Sequence, residues 1–120
     1  MKRDTLKEFL DLMAIQKSEE EFLQELQARV EGLSKNESFL RELRKFNALS
    51  NKTRLLIYHI LLSNDLCTCA LARILKVAEG TISHHLKLLE KAGLIMGIKK
   101  GYFTIYTTKK PTLQTIQFNP

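Results

Sequence analysis

The sequence predicts a mostly α-helical protein with one small β-hairpin. Apolar residues recur every three or four positions within several stretches, among them 6–13, 22–33, 39–49 and 82–89, which is the spacing of one face of an α-helix. Further on, two β-rich runs, 94–98 and 102–107, flank Lys99-Lys100-Gly101, where glycine permits the backbone angles of a tight turn. A chain of 120 residues that is 44% hydrophobic has room for one compact domain and an extension.

The first part of the chain predicts a helical extension that pairs two copies of the protein. Residues 2–30 contain neither glycine nor proline, and their apolar residues keep helical spacing. Ser18 and Glu21 have the form of a capping box, so the segment is one long helix or two with a break near Ser18, and we favour one. Gly32 is expected to end it. The apolar stripe needs either its own core or the same helix of a second chain, and we expect a homodimer built on residues 1–46.

Two more helices are predicted in the middle of the chain. Ser34 and Glu37 offer a second capping box before a helix whose apolar face is Phe39, Leu40, Leu43, Phe46 and Leu49. Asn51 is expected to cap a helix over 52–62, in which His59 is a core or surface residue and not a ligand. The apolar residues of that helix predict core positions: Leu55, Leu56, Tyr58, Ile60 and Leu61. Residues 63–65 predict a turn.

Residues 68–92 have the order helix, tight turn, helix. A short helix over 68–75 is separated by Lys76-Val77 from a longer one within 78–92, which is the arrangement of a DNA-binding helix-turn-helix. The second helix would be about 13 residues and roughly 20 Å long, a size that lies in a DNA major groove. With the hairpin as a wing, residues 47–108 predict a winged helix-turn-helix domain, and 109–120 an extended tail.

Charge is divided unevenly along the chain. Residues 1–46 carry 9 Lys/Arg against 10 Asp/Glu, whereas residues 47–120 carry 10 against 3. A neutral amphipathic front and a basic body suggest self-association at one end and a polyanion, double-stranded DNA, at the other.

The predicted DNA-binding residues lie on the second helix and the wing. Ile82, Leu86 and Leu89 form its apolar stripe, and His85 beside them is expected to pack. Base edges would be read by Thr81, Ser83, His84 and Lys87. Phosphates or an adjacent minor groove would be contacted by Lys91, Lys99, Lys100 and Tyr102. Glu79 near the helix start would accept from a cytosine amino group or repel phosphate.

Other classes of function fit less well. The sequence does not favour an enzyme, because the exposed His84 lies on the face assigned to DNA and no phosphate loop or acid pair is present. The alternative is a winged-helix module that binds another protein without sensing a ligand. A basic stripe favours DNA over that alternative, since a protein partner would not require it.

Cys67 and Cys69 form the chain's one cysteine pair. Two cysteines cannot form a disulfide framework, and in a reducing compartment they indicate a reactive or metal-binding pair. At the start of a helix thiolate is favoured over thiol, but side chains at i and i+2 point apart unless the first turn is irregular. Three interpretations stay open: a two-coordinate metalloid site, a thiol redox switch, or two small buried residues without function.

No membrane span is predicted. The longest apolar run, Leu55 to Leu62, is far shorter than the ~18 residues that a span requires. The N-terminus has acidic residues where a secretory signal would have an apolar core, so a cytoplasmic protein is expected.

Three stretches together resemble the ArsR/SmtB winged-helix repressors. They are ALSNKTRL (48–55), DLCTCALA (65–72) and TISHHLKLL (81–89) followed by Ala-Gly-Leu (92–94). The resemblance covers roughly residues 49–107. It implies a homodimeric regulator that binds a palindromic operator and leaves it when an inducer, often a thiophilic metal or metalloid, binds.

The same resemblance implies a role for the thiols. Cys67 and Cys69 match family positions that bind arsenite, antimonite, cadmium or lead, so As(III) or Cd(II) is a candidate inducer, and no cofactor is required. The chain departs from the family pattern at Ala72, where arsenic sensors have a third cysteine, and at Ala70, which replaces an acidic residue. It also lacks the N-terminal cysteines of cadmium sensors and the C-terminal zinc ligands of others, and Ala78 replaces an N-capping serine.

Overall fold

A computed structural model describes residues 4–108, which form six helices and one small sheet. The chain divides into two compact units, residues 1–40 and 41–120. The elements are α1 (Thr5–Leu12), α2 (Glu19–Lys35), α3 (Glu37–Leu49), α4 (Lys52–Leu61), β1 (Leu66–Cys67), α5 (Thr68–Leu75), α6 (Glu79–Lys91), β2 (Met96–Lys100) and β3 (Phe103–Thr107). The predicted fold class, mostly α with a winged helix-turn-helix, is confirmed. The tail predicted at 109–120 lies outside the described residues.

Residues 4–35 form two helices, so the single long helix that we favoured is wrong. Ala14 adopts a left-handed conformation (φ 56°), the Ala14 N–H donates to the Asp11 carbonyl, and the Ile15 N–H donates to the Leu10 carbonyl. These are the hydrogen bonds of a Schellman motif, which ends α1. Ser18 then starts α2, because its hydroxyl accepts from the Glu21 N–H at 3.1 Å. The Phe9 and Phe22 rings, 6.3 Å apart, pack α1 on α2.

The boundary between α2 and α3 also differs from the prediction. Gly32 does not end α2, which continues to Lys35, and the Ser34 hydroxyl donates back to the Glu31 carbonyl. Asn36 interrupts the helix with an extended backbone, and its side-chain oxygen accepts from the Phe39 N–H at 3.2 Å. The cap is therefore asparagine, two positions after the serine we expected, because Asn caps helices at least as well as Ser.

The second unit encloses the hydrophobic core. Nine buried residues form one cluster: Ala48, Ile57, Leu61, Leu71, Ala72, Ile82, Leu86, Leu89 and Ile95. Asn51 caps α4 as predicted, accepting from the Arg54 N–H at 3.1 Å. Leu55 and Leu56, however, are 40% and 43% exposed, so their predicted core positions are wrong. The apolar run continues around the helix, whereas one stripe of α4 faces the core.

The helix-turn-helix and the wing complete this unit. Lys76 ends α5 with a left-handed backbone (φ 57°), which turns the chain into α6. The sheet has the order β1-β3-β2, and β1 is a strand that the sequence did not predict. Lys99 and Lys100 lie within β2, opposite Thr104 and Phe103, so the hairpin tip is Gly101-Tyr102 and not the lysines. No helix in residues 4–108 is long and apolar enough to cross a membrane.

One close approach shapes the hairpin. A Cβ atom at Gly97 would lie 2.8 Å from Thr104 Cγ2 and 3.0 Å from Tyr106 Cε1. Glycine at this position lets the two side chains of β3 lie directly across β2.

Candidate nucleic-acid interface and thiol pair

The second helix of the helix-turn-helix, α6, has one buried face and one exposed polar face. Ile82, Leu86 and Leu89 have no exposed surface, which fixes the helix on the core. Because these three residues lie on one side of α6, the opposite side faces solvent. Exposed on that side are Thr81, His84, Lys87 and Lys91, and Ser83 is half-buried at the edge of this surface. Four of the five candidate DNA-contacting residues of α6 therefore share one accessible surface.

The wing adds exposed basic and aromatic side chains. Lys99 and Lys100 are exposed on β2, and Tyr102 at the hairpin tip is fully exposed. Gly101 has a φ of 62°, a conformation that glycine adopts without strain and that the tight hairpin requires. The two lysines thus stand on a defined strand, since backbone pairing to Thr104 and Phe103 holds them.

A histidine links α6 to the preceding helices. Arg54 on α4 donates through Nε to the Ala48 carbonyl at 2.6 Å and lies with Nη1 3.2 Å from His85 Nδ1. Burial lowers the pKa of His85, and the positive charges of Arg54 and His84 lower it further. Because a guanidinium can only donate, Nδ1 of His85 is the acceptor in this contact. The sequence predicted only that His85 packs, because the partner lies 31 residues away.

The two cysteine thiols converge. Cys67 is the last residue of β1 and the N-cap of α5, with extended backbone angles (φ −86°, ψ 168°), whereas Cys69 lies in the first turn of α5. Their Sγ atoms are 3.0 Å apart. The expected irregularity is thus the strand-to-helix junction: since Cys67 lies outside the helix, the rule that i and i+2 side chains diverge does not apply.

The two thiols differ in acidity. A hydrogen bond from the Cys69 thiol lowers the pKa of Cys67, and the Ala70 N–H lowers it further. Donating that hydrogen bond raises the pKa of Cys69, as do burial and the negative charges of Cys67 and Glu79. The hydrogen bond between the thiols therefore shifts their pKa values in opposite directions, downward for Cys67 and upward for Cys69. A thiol of lowered pKa beside a second thiol is an arrangement suited to a nucleophile or a soft-metal ligand.

The thiols open into a cleft between α5 and the wing. The cleft has a volume of about 350 Å³ and is lined by Cys67, Thr68, Cys69, Glu79, Tyr102, Phe103, Thr104 and Tyr106. In the part of the chain that the structure describes, no group of three or more His, Cys, Asp or Glu side chains is placed to hold a metal ion. The donor set at this position is two sulfurs.

A buried three-helix core, an exposed polar face on the second helix of a helix-turn-helix and a basic hairpin define a winged helix-turn-helix DNA-binding protein. Comparison with known proteins identifies the family. Residues 51–96 match the model of the family described as "Bacterial regulatory protein, arsR family". The chain is 40% identical over 62 residues to an uncharacterized HTH-type transcriptional regulator of Methanocaldococcus jannaschii, covering 51% of this chain and 70% of that protein.

Two further comparisons agree. The chain is 34% identical over 74 residues to the arsenical resistance operon repressor of Bacillus subtilis (strain 168), covering 61% of this chain and 70% of that one. Its fold matches the homodimeric winged helix-turn-helix DNA-binding domain of a possible ArsR-family regulator from Mycobacterium bovis, with a TM-score of 0.56 and 23% identity over 64% of this chain and 69% of that one.

The chain belongs to the ArsR family. It is a DNA-binding transcriptional regulator and not an enzyme, as its relatives are transcriptional regulators. The resemblance seen in the sequence is thereby confirmed. Residues 1–50 lie outside the segment that matches the family model.

Proposed function

We propose that this protein is a homodimeric repressor that binds a palindromic operator and is released by a thiophilic metalloid at Cys67 and Cys69. The observation that carries the DNA-binding part is the polar and basic face of α6, which is exposed while its apolar stripe is completely buried. Thr81, Ser83, His84 and Lys87 read base edges, and phosphate contacts from Lys91, Lys99, Lys100 and Tyr102 position the protein. Residues 47–108 form the DNA-binding domain.

The pairing surface is assigned to residues 1–46, and α2 supports this most directly. This helix of 17 residues has no buried residue, and four of its apolar side chains are between 40% and 65% exposed. They are Leu23, Leu26, Val30 and Leu33, which occupy alternate three- and four-residue steps, the a and d spacing of a coiled coil. A second copy of α2 carries the same row of exposed apolar residues, here called the α2 seam, and the two seams pack against each other in a two-fold dimer. Such a dimer would place two α6 helices in successive major grooves about 34 Å apart.

The binding site for the inducer is assigned to the two thiols of Cys67 and Cys69. A trihydroxyarsenic(III) species reacts with the Cys67 thiolate and the Cys69 thiol to form two As–S bonds, releasing one hydroxide and one water and keeping the third hydroxyl on arsenic. Two sulfurs 3.0 Å apart before reaction suit this bidentate capture. The B. subtilis relative is an arsenical resistance operon repressor, which supports the choice of ligand.

The β1–β3 pairing supplies a route from the thiols to the wing. Cys67 pairs through its backbone with Ile105 in β3, and β3 pairs in turn with β2, which carries Lys99 and Lys100. Arsenic bonded to Cys67 and Cys69 changes the separation of their sulfurs and so pulls on the end of β1. The wing lysines then move with the sheet, and their phosphate contacts weaken.

The test is fluorescence-anisotropy binding of the full chain to the DNA upstream of its own gene, at about 50 and 200 mM salt, with and without arsenite. Binding should weaken by roughly 10³-fold or more between these salt concentrations if about six phosphates are contacted. Arsenite should release the wild type, and C67S/C69S should bind DNA equally well yet ignore arsenite. Thr68→Ala, in the same cleft without loss of a thiol, serves as the matched control and should respond like the wild type.

Each failure identifies a different error. Salt-sensitive binding that ignores arsenite but responds to peroxide would assign the thiols to a redox switch. Binding indifferent to both would remove the sensing role. An absence of salt-sensitive DNA binding would contradict the repressor itself and favour the protein-interaction module.

A further inference from the structure

A second cavity lies within the DNA-binding unit, on the side of the α6 C-terminus. It has a volume of about 290 Å³ and is lined by Arg44, Asn47, Ala48, Arg54, Leu88, Lys91 and Ala92. These residues come from the end of α3, the first turn of α4, and the last turn and C-cap of α6. The cavity is therefore formed where three helices meet, one of which is the DNA-reading helix.

The cavity combines positive charge with apolar walls. Three of its seven lining residues are basic and none is acidic, while Ala48, Leu88 and Ala92 contribute hydrocarbon. Within residues 4–108 no carboxylate forms an ion pair with Arg44 or Lys91. The positive charge that lines this cavity is thus not neutralised by the described part of the chain.

Arg54 is already held in position. Its Nε donates to the Ala48 carbonyl at 2.6 Å and its Nη1 contacts His85 Nδ1 at 3.2 Å. A guanidinium has five N–H donors, so further donors remain for a ligand. Fixing the side chain in advance lowers the entropy cost of binding an anion.

We propose that this cavity binds a small organic anion, an apolar body that carries a carboxylate or phosphate group. The anionic group contacts Arg44, Arg54 and Lys91, and the apolar body packs on Ala48, Leu88 and Ala92. A volume of about 290 Å³ is at the lower end of ligand pockets, which fits a molecule the size of an aromatic acid.

Such a ligand would act on DNA binding, a consequence that rests on the proposed function. An anion bound to the remaining donors of Arg54 adds negative charge beside its contact with His85, the residue next to the DNA-facing His84. Lys91 would be neutralised at the same time. The cavity is lined by neither cysteine, so this would be an effector site separate from the thiol pair.

The experiment measures ligand binding without DNA. Benzoate, its neutral analogue benzamide, and inorganic phosphate are titrated into the full-length protein and followed by ¹⁵N–¹H chemical shifts. Benzoate should shift Ala48, Leu88 and Ala92 amides and bind at least about tenfold more tightly than benzamide, since a charge-assisted hydrogen bond contributes about 1.5–3 kcal/mol. Arg44→Gln should weaken the affinity for benzoate at least about tenfold. Arg73→Gln, which removes the same charge outside the cavity, should change that affinity less than about twofold.

Three results would overturn the proposal. If benzoate and benzamide bind with equal affinity, the ligand's negative charge plays no part in binding. If Arg44→Gln binds benzoate as tightly as the wild type does, benzoate does not bind in this cavity. If benzoate and phosphate both fail to bind while Arg44→Gln weakens operator binding about tenfold, the basic residues contact DNA phosphate instead. The readout needs no operator, so specific benzoate binding in a protein that fails to bind DNA would contradict the repressor and leave this site intact.

Discussion

The two units of the chain use their apolar residues in opposite ways. Among residues 4–40 the structure buries only Leu10, although α1 and α2 are rich in leucine and phenylalanine. In the second unit nine apolar residues form one buried cluster around α6. The difference teaches that the second unit is stabilised by its own core, whereas the first leaves most of its apolar side chains exposed, as the proposed pairing of two copies requires.

The largest effect should come from a substitution in the buried cluster. Leu86→Ala, at a position with no exposed surface, should lower the free energy of unfolding by about 2–5 kcal/mol, because it removes apolar contacts and leaves a cavity. Leu12→Ala makes the same chemical change in α1, where the side chain is 82% exposed, and should cost less than about 0.5 kcal/mol. Urea denaturation followed by circular dichroism measures both. Equal losses of unfolding free energy in the two variants would contradict the conclusion that the buried core lies in the second unit.

A smaller effect should follow from charging the α2 seam. L26E/V30E should convert the dimer to monomer in analytical ultracentrifugation and weaken operator binding about 100-fold, since linked half-sites gain at least that factor from pairing. Q24E/A28E adds the same two charges to the opposite face of α2 and should leave both properties unchanged. A dimer that survives L26E/V30E would assign pairing to another surface.

The smallest effect concerns pH and the second unit alone. Because the pKa of His85 in the folded protein is lowered from its ordinary value of 6.5, the unfolded chain binds more protons below that pH. Stability should therefore fall as the pH drops through and below about 6.5, and be fully present above it. Urea midpoints at about pH 7.5 and pH 5.5 should differ less in His85→Gln than in the wild type. His59→Gln, which changes an exposed histidine of α4, should retain the wild-type difference, and an unchanged pH dependence in His85→Gln would contradict a role for this group.

Local patterns predicted the second unit well. The Asn51 cap and the stripe of Ile82, Leu86 and Leu89 depend on residues a few positions apart, and sequence spacing reports such relations directly. The single long helix predicted at the start of the chain was wrong because Ala14 takes the left-handed conformation that glycine usually adopts, so no residue type marked the end of α1.

Features of the candidate site that involve distant residues were not predictable in this way. The contact of Arg54 with His85 joins residues 31 apart, and β1 exists because two residues pair with β3. The thiols converge because Cys67 lies in that strand, a fact that the spacing of two cysteines does not encode. The roles assigned to the DNA-facing residues and to the thiols remain predictions.

Gly97 has a consequence for how this hairpin tolerates mutation. The space that a side chain would occupy here is filled by Thr104 and Tyr106 of the facing strand. Their Cγ2 and Cε1 atoms lie 2.8 and 3.0 Å from the position of a Cβ atom at residue 97. The three positions are therefore coupled in size: alanine at 97 requires the Thr104 and Tyr106 side chains to shift, and serine at 104 removes the nearer of the two contacts. In a library that varies one residue at a time, this half-exposed position would tolerate alanine less well than its exposure suggests, and the double variant with serine at 104 would recover part of what the single variant loses.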